Sequence, residues 1–290
     1  MGGPTRHGQA ERERAGVGDH DVEAGRLGDD GRVAGAARPD GGQGMLAAIR
    51  AGIVGDAAVI TEPTGLDVVI AHAGALTFRL TVPGRAAHAS RRQEGVSALD
   101  NLGDLIRALE ADEARRNADE TDPLMTALGM PYPTIIGTVA GGEWASTVMD
   151  RVVAEGRYGV RLGQDPDGAE AELRACITAA CAAHPFLCDH PAMVEITGAR
   201  FGSSRVAAGD ALPVSLRAAA KAVTGTRPRL VGVPYGADMR LFIQVGDTPC
   251  VIFGPGDVRL AHGADERVPL AEVEACARVL AAWVAAELGA

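Results

Sequence analysis

The sequence is poor in aromatic residues and in lysine. Phe, Trp and Tyr make up 3% of its 290 residues, and Lys221 is the only lysine. A buried core must therefore consist mainly of Ala, Val, Leu and Ile, which the apolar content of 47% can supply. The net charge of −10 disfavours a nucleic-acid partner, because phosphate backbones are bound through clusters of Lys and Arg.

Long apolar runs and closely paired cysteines are also missing. No run approaches the roughly 18 apolar residues of a membrane-spanning helix, so we expect no membrane partner. The N-terminus lacks the apolar stretch of a secretory signal. The five cysteines contain no CxxC pair, which favours free thiols in a reducing cytoplasm over a zinc-thiolate site.

The composition changes near residue 40. Residues 1–40 are dominated by Gly and charged residues, show no period of 2 or 3.6, and are predicted to be a disordered or aberrant segment. From residue 41 the pattern becomes that of a globular α/β protein, although 112–123 is predicted to be a polar loop.

The order of elements predicts one domain inserted into another. Residues 74–199 contain the order β-α-β-β-α-β, which is typical of a ferredoxin-like α+β sandwich. The segments 41–73 and 200–290 alternate helical and strand patterns, which predicts an α/β domain with a largely parallel sheet.

Two residues follow predicted strands, where open α/β sheets place their sites. Glu62 comes directly after the apolar strand AAVIT, and the alternative interpretation is a solvated turn acid. His262 lies in the loop GPGDVRLAHGADE, where a histidine can be held as a metal ligand or can simply be a surface residue.

Two further residues could contact a substrate. His88, in VPGRAAHAS, could donate a hydrogen bond to an oxyanion, or it is an ordinary loop histidine. Arg240, in PYGADMRLF, has a guanidinium suited to a substrate carboxylate. Alternatively Arg240 forms a salt bridge at a helix start with Asp238 or a nearby acid, and Asp238 itself is an N-cap.

Four segments together resemble the M20 metallopeptidase family, which includes acetylornithine deacetylase and succinyl-diaminopimelate desuccinylase. They are AVITEPTG, GALTFRLTVPGRAAHAS, GTVAGGEWASTVMDR and YGADMRLF with GPGDVRLAHGADERV, in the family order between about residues 42 and 290. The resemblance implies a zinc-peptidase-like α/β catalytic domain with an inserted ferredoxin-like dimerisation domain, called the lid below.

The resemblance also implies roles for the candidate residues. Glu62 and His262 would each bind one of two zinc ions, and Arg240 would hold the carboxylate of an N-acyl amino acid. His88 would stabilise the oxyanion in the site of the partner subunit of a homodimer. The implied activity is that of a metal-dependent amidohydrolase.

The stretch before Gly41 departs from the family pattern. Arg38, Pro39 and Asp40 stand where the family has a Glu-Glu pair, and no His-x-Asp pair occurs upstream. The catalytic domain is therefore expected to be incomplete, as in an N-terminally truncated or frame-shifted chain. The alternative to a working enzyme is a non-catalytic dimerising remnant.

Overall fold

A computed structural model describes residues 42–261 and 263–289. The predicted disordered segment 1–40 and the candidate ligand His262 lie outside these residues. The elements follow in the order α1 (Gln43–Arg50), β1 (Ala58–Ile60), β2 (Val68–His72), β3 (Gly74–Pro83), α2 (Ala98–Ala118), α3 (Pro123–Thr126), β4 (Ile135–Gly141), β5 (Arg151–Val160), α4 (Pro166–Ala183), β6 (Met193–Phe201), β7 (Ser204–Arg205), α5 (Ala211–Thr224), β8 (Leu230–Val233), α6 (Met239–Gln244), β9 (Cys250–Ile252) and α7 (Leu270–Glu287), with 3-10 helices at Ala89–Glu94 and Val258–Leu260.

Five strands form a mixed sheet. β1 pairs with β9 in parallel and β2 pairs with β8 in parallel, whereas β2 runs antiparallel to β9 and β7. The prediction of a largely parallel sheet was therefore wrong. The loop 61–67 that joins β1 to β2 is too short for the helical crossover that a parallel return requires, so β2 comes back antiparallel.

Four strands form the lid sheet, in the antiparallel order β4-β5-β3-β6. Along β3, Leu76, Phe78, Leu80 and Val82 are buried while the residues between them are half-buried, because successive side chains point to opposite faces. The buried face packs against α2 and α4. This arrangement confirms the predicted inserted ferredoxin-like α+β lid on an α/β layer.

Helix α2 is longer than predicted. The stretch 112–123 was predicted to be a polar loop, but its first seven residues continue α2 to Ala118. Asp112 pairs with Arg115 at 2.7 Å and with Arg116 at 2.8 Å along the helix, and such pairs stabilise a polar helix. The charge-rich composition therefore reflects a helix with side-chain pairs rather than a loop.

Arg116 is the reason that this polar segment packs. Its buried guanidinium donates to Asp112 at 2.8 Å, to the Gly159 carbonyl at 2.8 Å and to the Thr134 hydroxyl at 2.7 Å. The Tyr158 ring lies 3.9 Å from it, and the Tyr158 hydroxyl donates to Asp112 at 2.8 Å. A buried charge is tolerated because it is paired and hydrogen-bonded.

No helix in the described part of the chain is long and apolar enough to cross a membrane.

Candidate functional site

Glu62 lies at the carboxyl end of β1, in a loop tied to the loop after β9. The Thr64 hydroxyl donates to the Asp67 carbonyl at 2.7 Å and accepts from the Gly254 N–H at 3.1 Å. Gly254 has to be a glycine, because a Cβ there would overlap the Glu62 carbonyl oxygen. Burial and the negative charge of Asp238 raise the pKa of Glu62. The five-stranded sheet and the helices packed on it are called the catalytic layer below. Two carboxylates of this layer, Glu62 and Asp238, are thus close enough to interact.

Asp238 and Tyr235 accompany Glu62, and the sequence had assigned neither to the site. Asp238 occupies the N-cap position of α6 but makes no capping hydrogen bond with its side chain. A Cβ at Gly42 would overlap the Asp238 carboxylate, so the start of α1 lies directly against it. The motif PYGADMRLF, which carries Arg240, also contains Tyr235 and Asp238, so it could have indicated both residues as site candidates.

The hydroxyl of Tyr235 is a buried polar group. It is inaccessible to water and has no hydrogen-bond partner in the described ranges. Burial, followed by the negative charge of Glu62, raises its pKa to about 12. A groove of about 880 Å³ passes Pro63, Thr64 and Tyr235 and reaches Leu124. The phenol therefore stays protonated and keeps its O–H as a buried hydrogen-bond donor beside this groove.

Arg240 lies in α6 and is 6% exposed. Its guanidinium lies over the ring of Phe201, the last residue of the lid sheet, at 4.5 Å. Burial lowers its pKa, and the negative charge of Asp238 opposes this shift. The guanidinium also lines a cavity with Ser203 and Gln244. Arg240 is thus held between the catalytic layer and the lid. Its contact with the aromatic ring of Phe201 was not predicted from the sequence, which suggested only ionic partners.

His72 has no suggestive spacing in the sequence, but it lies in the same region of the structure. It is completely buried at the end of β2. Its Nδ1 is 2.7 Å from the Ala73 carbonyl and its Nε2 is 2.8 Å from the Ser204 hydroxyl. Burial, assisted by the positive charge of Arg240, lowers its pKa to about 4. Nδ1 therefore donates to the Ala73 carbonyl, and Nε2 of the neutral ring accepts a hydrogen bond from the Ser204 hydroxyl.

His88 is exposed on the lid and is held by lid residues. Its Nδ1 accepts the Ser90 backbone N–H at 3.2 Å and lies 2.8 Å from the Ser90 hydroxyl. Thr147 pairs with it through a β-bridge, and the neighbouring Ala89 N–H donates to Ser146 at 2.9 Å. Since Nδ1 is an acceptor, a neutral His88 carries its proton on Nε2, which is free to donate.

The described residues do not fit a two-metal centre. Within 42–261 and 263–289 there is no group of three or more His, Cys, Asp or Glu side chains that could hold a metal ion. Glu62 and Asp238 supply carboxylate oxygens, but a zinc ion takes three or four protein ligands. The position of His262 relative to Glu62 is outside the described structure.

Comparison with known sequences identifies the inserted part. The M20 peptidase dimerisation domain matches residues 70–185. A protein named as the succinyl-diaminopimelate desuccinylase DapE of Mycobacterium tuberculosis is 30% identical over 226 residues, which cover 78% of this chain and 57% of that protein. An acetylornithine deacetylase of Myxococcus xanthus is 28% identical over 235 residues, 79% of this chain and 57% of that protein. The chain thus spans little more than half the length of these relatives.

Solved structures share the fold. An M20 family metallo-carboxypeptidase of Sulfolobus solfataricus superposes with a TM-score of 0.61 at 15% identity, covering 83% of this chain and 65% of that one. The four sequence segments, the domain match and the named relatives agree. The chain therefore belongs to the M20 peptidase family and carries its dimerisation domain.

Proposed function

We propose that the chain belongs to a metal-dependent amidohydrolase that removes the acyl group from N-acyl amino acids. The observation that carries this proposal is that Glu62, at the carboxyl end of β1, lies close enough to Asp238 and to the buried Tyr235 hydroxyl to interact with both. The deacetylase and desuccinylase relatives supply the substrate class. Arg240 offers the guanidinium that would hold the amino-acid carboxylate.

Zinc is the proposed metal, with Glu62 as a ligand of one ion and His262 as a ligand of the other. Zinc would supply Lewis-acid activation of water and of the amide carbonyl. Because the described residues do not complete such a centre, its assembly requires ligands beyond them.

His88 is proposed to act in the site of the partner subunit. Its Nε2–H can donate to the oxyanion that forms when an amide carbonyl is attacked. β3 carries the chain away from the catalytic layer for ten residues before His88, a distance of about 30 Å in an extended strand. This reach supports a role in trans rather than in its own subunit.

The proposed dimer contact is the free edge of the lid sheet at β4. This strand contains no charged residue, and Ile135 and Val139 are 61% and 51% exposed. The opposite edge, β6, carries Glu195 and Arg200, and edge charges discourage pairing between sheets. A second copy would pair its own β4 and bury the apolar side chains.

The dimer is tested by placing a charge on β4. Ile135→Arg should convert a dimer to a monomer, measured by size-exclusion chromatography with light scattering. Val273→Arg, at an exposed valine of α7, is the matched control and should leave the mass unchanged. A dimer that survives Ile135→Arg contradicts the assignment of this edge.

The activity is tested by metal content and by subunit mixing. Purified protein is assayed for bound zinc and for hydrolysis of N-acetylornithine and N-succinyl-diaminopimelate, both of which the enzyme proposal requires. His88→Ala and Glu62→Gln should each abolish turnover. Mixing the two variants should restore about a quarter of the reference activity, because half of the randomly formed dimers then contain one intact composite site. No recovery on mixing would contradict the role of His88 in trans.

A non-catalytic dimerising protein is the second candidate. It is favoured by the lack of a third metal-ligating side chain near Glu62 in the described part of the chain. Negligible bound zinc and no turnover, together with a stable dimer, would support it over the enzyme.

The cytoplasm is the proposed compartment. All five cysteines are free thiols, and Cys181, Cys250 and Cys276 are buried, which suits a reducing environment.

A further inference from the structure

The chain passes between its two sheets at two places that lie side by side. It enters the lid between His72, the last residue of β2, and Gly74, the first of β3. It leaves between Phe201, the last residue of β6, and Ser204, the first of β7. Each sheet packs its own apolar cluster, and a third cluster of Ala71, Ala73, Met125 and Tyr132 joins the two bodies beside the first crossing.

His72 and Ser204, called the hinge pair below, join the two crossings. They face each other in the ladder between β2 and β7, and Ser204 Oγ lies 2.8 Å from His72 Nε2. His72 is 0% exposed and Ser204 is 6% exposed. A polar pair in such a site is costly unless satisfied, and here each partner satisfies the other. The separation of 132 residues makes this a purely tertiary contact.

The surrounding contacts tie the hinge pair to the candidate site. Gly74 cannot carry a Cβ, because it would overlap the Phe201 carbonyl oxygen. Ser203 accepts a hydrogen bond from Gln244 of α6 at 2.9 Å through its carbonyl. Its hydroxyl accepts one from the Gly163 N–H of the lid at 2.9 Å. The ring of Phe201 supports the Arg240 guanidinium, so a change in crossing geometry reaches Arg240 directly.

We propose that the hinge pair fixes the angle between the lid and the catalytic layer and thereby positions Arg240. His72 and Ser204 are positioning residues, since neither lines the groove that passes Pro63, Thr64 and Tyr235. The hinge pair joins two strands of one sheet, whereas other contacts span the two bodies, such as Arg157 to the Pro234 carbonyl at 2.7 Å. Arg157 belongs to β5 of the lid sheet, whereas the hinge pair lies where the chain crosses from one sheet to the other. The proposal is independent of zinc and of turnover.

The test measures the angle through the distance between two spin labels. Cys188 is an exposed native thiol on the lid, while the other four are buried or half-buried, and Glu274→Cys adds an exposed site on α7. The double variant His72→Leu with Ser204→Ala removes both partners of the His72–Ser204 hydrogen bond together, which costs less stability than leaving one of them buried alone. It should broaden or shift the distance distribution measured by pulsed electron resonance.

The control is Ser215→Ala, which removes a hydroxyl that accepts from Trp283 at 3.0 Å inside the catalytic layer. It should keep the reference distribution despite losing a hydrogen bond. An unchanged distribution in the double variant overturns the proposal. If the double variant does not fold, Ser204→Ala alone decides by amide exchange at Ala73 and Val206. Exchange about tenfold faster than in Ser215→Ala supports the hinge, and equal exchange overturns it.

Discussion

The buried neutral His72 predicts a loss of stability in mild acid. Its pKa drops from 6.5 to about 4 on folding, because burial disfavours the charged ring. Between these values the unfolded chain binds more protons than the folded one. The stability is therefore fully present above pH 6.5 and falls as the pH decreases towards 4. At pH 5 the loss from this one group is about 2 kcal/mol.

The measurement is urea unfolding at pH 7.5 and pH 5.0, followed by tryptophan fluorescence, to which the buried Trp283 and the exposed Trp144 contribute. The variant His72→Leu with Ser204→Ala lacks the titrating ring, so its free energy of unfolding should fall less by about 2 kcal/mol over the same interval. All other titrating groups are common to both proteins and cancel in the difference.

His190→Leu is the matched control, because it removes an exposed histidine that stacks on Phe186 with ring centroids 4.4 Å apart. It should keep the pH dependence of the reference protein. If the double variant and the reference lose stability equally between pH 7.5 and 5.0, then His72 ionises in the folded state and the reasoning from burial is refuted.

Three further changes test the packing described above by thermal or urea unfolding. Arg116→Met removes the buried guanidinium that pairs with Asp112 and donates to the Gly159 carbonyl and the Thr134 hydroxyl, and it should cost about 3 kcal/mol. Arg107→Met on the exposed face should change little, and equal effects would show that the network is not buried as described. Gly74→Ala should destabilise strongly, since its methyl overlaps the Phe201 carbonyl, and a stable variant would contradict the close crossing. Tyr235→Phe should stabilise the free protein by about 1 kcal/mol, because it removes a buried hydroxyl without a partner in the described ranges; a loss of stability would reveal a hydrogen bond.

The sequence predicts the lid well because its signals are local. The alternation in LTFRLTV places Leu76 and Leu80 on the core face, and the order of elements determines the sandwich. The prediction failed at 112–118, where a charge-rich stretch is helical because Arg116 finds partners 18 and 43 residues away. Composition cannot reveal partners at that separation.

The candidate site was only partly predictable for the same reason. Glu62 and Arg240 could be found because each lies in a recognisable segment beside a strand or a helix. The neighbours that define their environment come from distant parts of the chain. His72 had no suggestive spacing, since its partner Ser204 reaches it only after the whole lid has been built. Asp238 occupies the predicted N-cap position, but its side chain makes no capping hydrogen bond and lies against Gly42 and near Glu62.

The close approach of Gly74 and Phe201 has a consequence for protein engineering and for the evolution of the domain arrangement. A segment whose two ends meet can be removed, and the gap closed with a short linker, without rerouting the strands that remain. The same geometry lets the lid be expressed alone with its ends joined or permuted. Recombination could therefore exchange this module between chains as a single cassette.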